Sequence, residues 1–273
     1  MSDINLVCKD TILVSYPKSG RTWLRMMLAK ILKDTGVDTD KNEMILCTHK
    51  NYNDVVRDYG KDKKIIFLIR DPGDVVVSQF RELEANTALN GPNGDTPTIS
   101  RFLRGVYVKP TSASTGGMPI MKDGTRRAGI IATIQYMNEW FTSLRDVKEY
   151  KIITYEEMKK DAFSVLKEVV EFIGYDCDDK HIEASVEYSS FSNMKKIEEE
   201  LVKNSRLVGP HHSNLLRKYK GNFGKSQKVT RVRKGKVGSY REELHGVDIS
   251  YIKAAKTRYL HLPLAIKIRG INY

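Results

Sequence analysis

Apolar residues occur along the chain in two patterns, as short continuous runs and at spacings of three and four, and the two patterns alternate. Short apolar runs at 11–16, 44–48, 64–69 and 150–154 have the length of buried strands. Apolar residues spaced three and four apart predict helices at 22–36, 74–83, 126–144, 156–173, 179–188 and 248–259. Strands that alternate with helices predict a central parallel β-sheet flanked by helices on both faces. We therefore predict an α/β fold in a single domain over 1–273.

Two segments follow neither pattern. Residues 87–124 are rich in Gly, Pro, Thr and Asn, which predicts a long surface insertion. A loop of that length in a compact domain is often functional. Residues 203–241 contain several glycines and are predicted to be mostly irregular.

The net charge of +12 is concentrated in the second of these segments. Residues 203–241 hold twelve Lys and Arg side chains and no Asp or Glu. The other 34 basic residues of the chain are balanced by its 34 acidic residues. This distribution favours one localised anion-binding surface over a diffuse coat for nucleic acid, so we expect no nucleic-acid partner.

The composition excludes several other classes of protein. An apolar fraction of 40% with 29% charged residues is typical of a globular protein and too apolar for a disordered one. No apolar run approaches the ~20 residues that span a bilayer, and no signal peptide is recognisable at the start. Three distant cysteines indicate free thiols in a reducing compartment. We therefore expect a cytoplasmic protein without a membrane partner.

The segment 16–23, Tyr-Pro-Lys-Ser-Gly-Arg-Thr-Trp, joins the first predicted strand to a helix. Such a turn directs backbone N–H groups and the positive end of the helix dipole at one point, where Gly20 allows close approach. Lys18 adds a cation and Thr22 a hydroxyl, so the turn suits a phosphate group. The ATP-binding P-loop has a different order, because its Lys follows the second glycine, whereas Lys18 precedes Gly20.

Two further segments suit phosphate. In 65–78, Arg70 ends a strand and Ser78 lies about two turns into the following helix, and a guanidinium can form paired bonds to a phosphate. In the run Arg-Lys-Gly-Lys-Val-Gly at 233–238, two glycines three apart in a basic loop suit a flap over an anion. The alternatives are that Arg70 pairs with a neighbouring aspartate and that the basic run is a solvated surface.

Taken in order, these three segments resemble the cofactor signatures of the sulfotransferase family of cytosolic and bacterial type, which uses 3′-phosphoadenosine-5′-phosphosulfate (PAPS). The resemblance implies a P-loop-like fold, release of adenosine 3′,5′-bisphosphate (PAP) and no metal. It implies that the 5′-phosphosulfate loop comprises Lys18, Ser19, Gly20, Arg21 and Thr22. It implies that the 3′-phosphate is bound by Arg70, Ser78, Arg233, Lys234 and Gly235. Arg21 departs from the pattern, because the common family form has Thr there.

Two shorter matches support the resemblance. Residues 154–158, Thr-Tyr-Glu-Glu-Met, and residues 189–195, Ser-Ser-Phe-Ser-Asn-Met-Lys, are similar to family segments that contact the adenine. The resemblance implies that Tyr155 touches the base and that Phe191 stacks on it, with Trp23 on the other face. Aromatic faces of this kind contribute about 1–3 kcal/mol per stacked base.

Sulfuryl transfer needs a base for the acceptor and a cation for the leaving phosphate. Lys18 is the candidate cation, and His49 is the candidate general base because it ends the predicted strand beside the first loop. The resemblance agrees on His49, although Cys47 stands where the family usually has Lys. Family members that act on carbohydrates often use Glu, so Glu82 and Glu84 remain alternatives as the base.

Two other functions remain open at this stage. One is a P-loop kinase or ATPase, in which Asp71 would hold Mg²⁺. The other is a nucleic-acid-binding protein that uses residues 203–241, among which His211 and His212 could instead line a substrate entrance. The sulfotransferase reading predicts a small-molecule acceptor with a hydroxyl or amine. The small polar residues at 110–117 favour a sugar or polar natural product, and the oligomeric state is open.

Overall fold

The computed structural model describes residues 5–39, 41–85, 97–108, 126–203 and 234–269. The strands are β1 Asn5–Leu6, β2 Thr11–Ser15, β3 Asn42–Glu43, β4 Leu46–Thr48, β5 Lys64–Ile69, β6 Tyr107–Val108, β7 Arg126–Arg127 and β8 Glu149–Thr154. The first helices are α1 Arg21–Asp34, α2 Tyr52–Tyr59, α3 Pro72–Ala85, α4 Ile99–Arg104, α5 Ile130–Ser143 and α6 Tyr155–Lys160. The later helices are α7 Ala162–Ile173, α8 Asp179–Tyr188, α9 Phe191–Lys203, α10 Tyr240–Glu243, α11 Gly246–Tyr259 and α12 Leu262–Arg269.

Four strands form the central sheet, in the order β4-β2-β5-β8, and all neighbours are parallel. The chain runs from β2 to β4 on one side and then crosses to β5 on the other. Such a reversal of direction opens a crevice at the carboxyl ends of the strands, where open α/β sheets bind ligands. The first loop, after β2, lies at this crevice.

Alternate residues of each strand enter separate cores on the two faces of the sheet, because successive side chains point to opposite faces. Ile12 and Phe67 belong to one core, with Trp140 of α5. Leu13 and Leu68 belong to the other, with Met27 of α1. All six side chains are almost completely buried. The predicted parallel sheet covered on both faces is therefore present.

The predicted elements before residue 190 are observed with one correction, whereas α2 and the two-residue strands were not predicted. Within 87–124, which was predicted to be a surface insertion, α4 is a helix whose Phe102 and Leu103 are fully buried. The Phe102 ring packs against Phe80 of α3 at 5.4 Å. Ile99, Phe102 and Leu103 have the spacing of one helix face, but this single turn lies in a polar segment, which explains the error. Residues 86–96 and 109–125 lie outside the described residues.

Two helices near the end of the described chain, α9 and α12, did not stand out in the sequence. Residues 204–233, which make up most of the segment predicted to be irregular, lie outside the described residues. That prediction is therefore untested. Cys8, Cys47 and Cys177 are free thiols. Within the part of the chain described, no helix combines the length and the apolar character needed to cross a membrane.

Candidate active site

A cleft opens at the carboxyl edge of the sheet, between the ends of β2, β4 and β5. Its walls come from all three predicted phosphate segments and from α6 and α9. The lining residues are Pro17, Lys18, Gly20, Arg21, Thr22, Trp23, His49, Arg70, Ser78, Glu82, Tyr155, Lys159, Phe191, Met194, Lys234, Gly235 and Ser239. Segments more than 200 residues apart in sequence therefore meet at one site.

The loop after β2 is shaped by two left-handed residues. Lys18 has a φ of 72° and is the one non-glycine residue within the described ranges with a positive φ. Gly20, with a φ of 102°, caps the start of α1 without a side-chain hydrogen bond. Strained backbone of this kind clusters at ligand sites. Below the loop, the Ser19 side chain is buried and its Oγ has no hydrogen-bond partner.

Gly20 also allows an aromatic side chain to approach the loop. A Cβ at this position would lie 2.6 Å from the ring of Tyr155, a distance that real side chains do not reach. Tyr155 in turn meets Trp23 edge to face, with ring centroids 5.8 Å apart. Lys159 lies 5.6 Å from the centre of the Trp23 ring. This corner of the cleft is therefore an aromatic wall with a cation at its rim.

Arg70 links the first loop to the glycine-containing segment near residue 235. Its Nη1 donates to the carbonyl of Lys18 at 3.2 Å, and its Nη2 donates to the carbonyl of Lys236 at 3.2 Å. The guanidinium carbon lies 4.1 Å from the centre of the Tyr155 ring, and Nε is buried without a partner. Arg70 thus connects distant segments while one donor remains unused.

Asp74, on α3, anchors the segment 234–240, which we call the flap. Its carboxylate accepts from the backbone N–H of Gly238 at 2.7 Å and of Tyr240 at 3.0 Å, and from the Ser239 hydroxyl at 3.2 Å. Arg70 Nη2 lies 3.8 Å from Asp74 Oδ2. The pairing of Arg70 with a neighbouring aspartate, which the sequence left open, is therefore present but loose. Asp74 is 1% exposed, and a buried carboxylate requires this many donors. The flap is therefore held against α3.

Phe191 lies over the other end of the flap. A Cβ on Gly235 would be 2.3 Å from the Phe191 ring, and Gly235 has a φ of +61°. Only glycine fits this contact without displacing the ring. The ring forms a second aromatic wall of the cleft.

Lys18 and Glu82 form an ion pair inside the cleft. The Lys18 Nζ lies 3.5 Å from Glu82 Oε2, and the two side chains are only 15% and 9% exposed. Their partial burial makes the pair stronger than a surface pair, and loss of one partner would leave a poorly solvated charge. The carboxylate thus holds the ammonium in position at the floor of the cleft.

His49 follows β4 and is fixed by the neighbouring backbone. Its Nδ1 lies 2.6 Å from the carbonyl oxygen of Ser15. Because a carbonyl oxygen can only accept, Nδ1 carries the proton and Nε2 carries the lone pair. The backbone carbonyl of Lys50, the residue after His49, accepts from Trp140 Nε1 at 3.1 Å and from the Tyr136 hydroxyl at 3.2 Å. The imidazole is therefore oriented as a proton acceptor.

Asp71, the metal ligand of the ATPase alternative, already has partners. Its carboxylate pairs with Lys256 and accepts from the backbone N–H of Gly73 at 2.8 Å. The Asp71 N–H donates to Glu156 at 2.9 Å, and burial raises the pKa of that glutamate to about 7. Among the described residues, no group of three or more His, Cys, Asp or Glu could hold a metal. Asp71 therefore serves to connect α3 and α11.

The structure brings together most of the site residues predicted from sequence. Those that line the cleft are Lys18, Gly20, Arg21, Thr22, Trp23, His49, Arg70, Ser78, Tyr155, Phe191, Lys234 and Gly235. Ser19 is buried behind them. Arg233, His211 and His212 lie outside the described residues.

Five contributors were missed in the sequence: Asp74 as the flap anchor, and Pro17, Lys159, Met194 and Ser239 as lining residues. Asp74 lies four residues after Arg70, but nothing local points to its partner 164 residues away. Only the folded chain shows that contact.

The parallel sheet and its basic, aromatic-walled cleft define an α/β enzyme with a site suited to a phosphorylated nucleotide. A family model described as "Sulfotransferase domain" matches residues 37–256. The chain therefore belongs to the sulfotransferase family. The family and the enzyme class predicted from the sequence, a PAPS-dependent sulfotransferase, are confirmed.

Individual relatives are distant. Sulfotransferase 2A6 of Rattus norvegicus is 24% identical over 213 residues, which are 69% of this chain and 67% of the relative. The amine sulfotransferase of Oryctolagus cuniculus is 22% identical over 277 residues, covering 89% and 78% respectively.

Solved structures confirm the fold. Mouse sulfotransferase SULT7A1 complexed with PAP superposes with a TM-score of 0.59 at 22% identity, over 99% of this chain and 90% of that chain. Retinol dehydratase in complex with androsterone and inactive cofactor PAP gives a TM-score of 0.59 at 14% identity, over 97% and 82%.

Proposed function

We propose that this protein transfers the sulfuryl group of PAPS to a hydroxyl or amine of a small molecule, with His49 as general base and Lys18 as the cation for the leaving phosphate. The observation that carries the proposal is the meeting of Lys18, His49 and Arg70 in one cleft with aromatic walls. A relative named amine sulfotransferase and a neighbour bound to PAP support the donor and the acceptor class.

The residues of the cleft fit a nucleotide that carries a phosphosulfate at one end and a phosphate at the other. Arg21 Nη1 and Arg70 Nε are buried donors without partners, and they lie in two different phosphate segments. Gly20 and Gly235 each leave a space that a Cβ would fill, one beside Tyr155 and one beside Phe191. Unsatisfied buried donors are costly, so a bound anion would stabilise the site.

We assign the two ends of the nucleotide to different walls. Ser19, Gly20, Arg21 and Thr22 serve the 5′-phosphosulfate, together with Lys18 and the dipole of α1. Arg70 and Ser78 on one side, with Lys234 and Gly235 of the flap on the other, serve the 3′-phosphate, and we add Arg233 from the sequence pattern. Trp23, Tyr155 and Phe191 hold the adenine.

Bound PAPS supplies the activated sulfuryl group, which forms a bond to the acceptor oxygen or nitrogen as its bond to the 5′-phosphate breaks. His49 Nε2 accepts the proton of the acceptor, since Nδ1 is engaged with Ser15. Lys18 leaves Glu82 and stabilises the charge that develops on the phosphate oxygen. The lysine and arginine side chains of the protein supply the positive charge that the transfer needs.

The acceptor and the setting of the enzyme are parts of the same proposal. The segment 110–117, with its small polar residues, leads us to propose a sugar or polar natural product. We further propose one domain over 1–273 and a cytoplasmic location, in keeping with free thiols at Cys8, Cys47 and Cys177.

A thermal-shift experiment tests the donor. PAP at about 100 times its Kd should stabilise the protein by about 2.7 kcal/mol, because it binds only the folded state. ATP with Mg²⁺ and a mixed-sequence oligonucleotide serve as comparators. Stabilisation by ATP with Mg²⁺ alone would favour a kinase or ATPase, and stabilisation by the oligonucleotide alone would favour a nucleic-acid-binding protein.

Substituting Gly235 with alanine should weaken PAP binding by about tenfold or more, because the new Cβ displaces Phe191 from the adenine. Gly174→Ala is the matched control, since Gly174 has a φ of +70° but nothing within 4 Å of an added Cβ. Both variants place a Cβ on a residue with positive φ, so calorimetric titration with PAP tests the ring contact. Equal affinities of the two variants would contradict the role of Phe191.

A further inference from the structure

Arg21 is a cation in the wall of the cleft that forms no ion pair with any described residue. It is the first residue of α1, and its Nη1 is buried with no hydrogen-bond partner. The neighbouring cations differ: Lys18 lies 3.5 Å from Glu82, and Arg25 pairs with Glu43 at 2.8 Å. No carboxylate of the described residues lies within ion-pair distance of Arg21. An unbalanced, partly buried charge is costly, so this position is suited to a bound anion.

The guanidinium of Arg21 lies on the His49 side of the cleft. It interacts electrostatically with Cys47 and Tyr136, and also with Arg25 and Glu43, which pair with each other. Cys47 lies on β4, two residues before His49. The Tyr136 hydroxyl donates to the carbonyl of Lys50, the residue after His49, at 3.2 Å. Lys18, by contrast, is held by Glu82 of α3. The two cations of the first loop therefore have different surroundings.

Burial lowers the pKa of Arg21 to about 10, so the guanidinium remains charged near neutral pH. Burial raises the pKa of the neighbouring Cys47 thiol and keeps the thiol protonated, and the nearby Glu43 carboxylate is already paired with Arg25. The charge is thus available to a ligand.

We propose that Arg21 binds the non-bridging oxygens of the sulfuryl group, while Lys18 serves the oxygen that bridges to the 5′-phosphate. This inference rests on the proposed function. The acceptor forms its new bond to sulfur on the His49 side and gives its proton to Nε2. The sulfur–oxygen bond to the phosphate breaks on the other side, and its electron pair passes to the phosphate oxygen beside Lys18. A cation near His49 therefore faces the transferred group and distinguishes PAPS from PAP.

Calorimetric titration without acceptor tests this role, because PAP lacks the sulfuryl group. Arg21→Met should lower the affinity for PAPS by about tenfold or more, as expected for loss of a charge-assisted hydrogen bond. Its affinity for PAP should change by less than about twofold. Arg25→Met is the matched control, since Arg25 lies one turn further along α1 and outside the cleft lining. It should leave both affinities unchanged.

Two results would overturn the inference. Equal losses for PAPS and PAP would make Arg21 a 5′-phosphate contact, and no loss for either ligand would remove it from the donor site. If Arg21→Met does not fold, as judged by its thermal unfolding, Arg21→Gln is titrated in its place against the same criteria. Failure of the unmodified protein to bind PAP would instead refute the proposed function.

Discussion

Substituting His49 with alanine should lower kcat by at least about two orders of magnitude, in the range typical of a lost general base. The reason is the geometry around the imidazole. Its Nδ1–H is committed to the Ser15 carbonyl at 2.6 Å, which leaves Nε2 as the proton acceptor. Nucleotide binding should be almost unaffected, since the base acts on the acceptor. Single-turnover assays with PAPS separate the chemical step from binding.

The control for this variant is His245→Ala, because His245 precedes α11 and is not among the residues that line the cleft. Added imidazole should partly restore turnover to His49→Ala and not to other slow variants. Turnover of His49→Ala near that of the unmodified enzyme would exclude His49 as the base. Glu82, which also lines the cleft, would then be the leading alternative.

Substituting Lys18 with methionine should also lower kcat by about two orders of magnitude, the size expected when a group that stabilises developing charge is removed. The Lys18 side chain is 15% exposed, so the field of its ammonium is weakly screened by solvent. The loss should be greater in kcat than in affinity for PAP, because the leaving oxygen becomes more negative only as the bond breaks.

Lys159→Met provides the comparison, since Lys159 also lines the cleft but lies over the Trp23 ring. It should alter the Kd for PAP and leave kcat nearly unchanged. If Lys18→Met lowers PAP affinity and kcat by the same factor, Lys18 is a binding residue and not a stabiliser of the leaving group. Measuring both variants by the same two assays makes the difference visible.

Local patterns were sufficient for the sheet and for the position of the first loop. The periods of apolar residues predicted Lys64–Ile69 as a strand and placed the others within a few residues of their ends. The loop after β2 was recognisable because a strand, a glycine and a helix start are adjacent in sequence. The same patterns failed for α4, where Ile99, Phe102 and Leu103 give only one turn of helical spacing within a polar segment.

Sequence by itself thus determined the α/β architecture, the family and most of the residues that line the cleft. Only the tertiary structure decided how these residues are paired: Lys18 with Glu82, Asp74 with the flap, and Arg21 with no ion-pair partner among the described residues. The physical reason is that side-chain periodicity records which face of an element is buried, and that is a local property. Partners of charged groups depend on which distant segments meet at the sheet edge, and no local period records that.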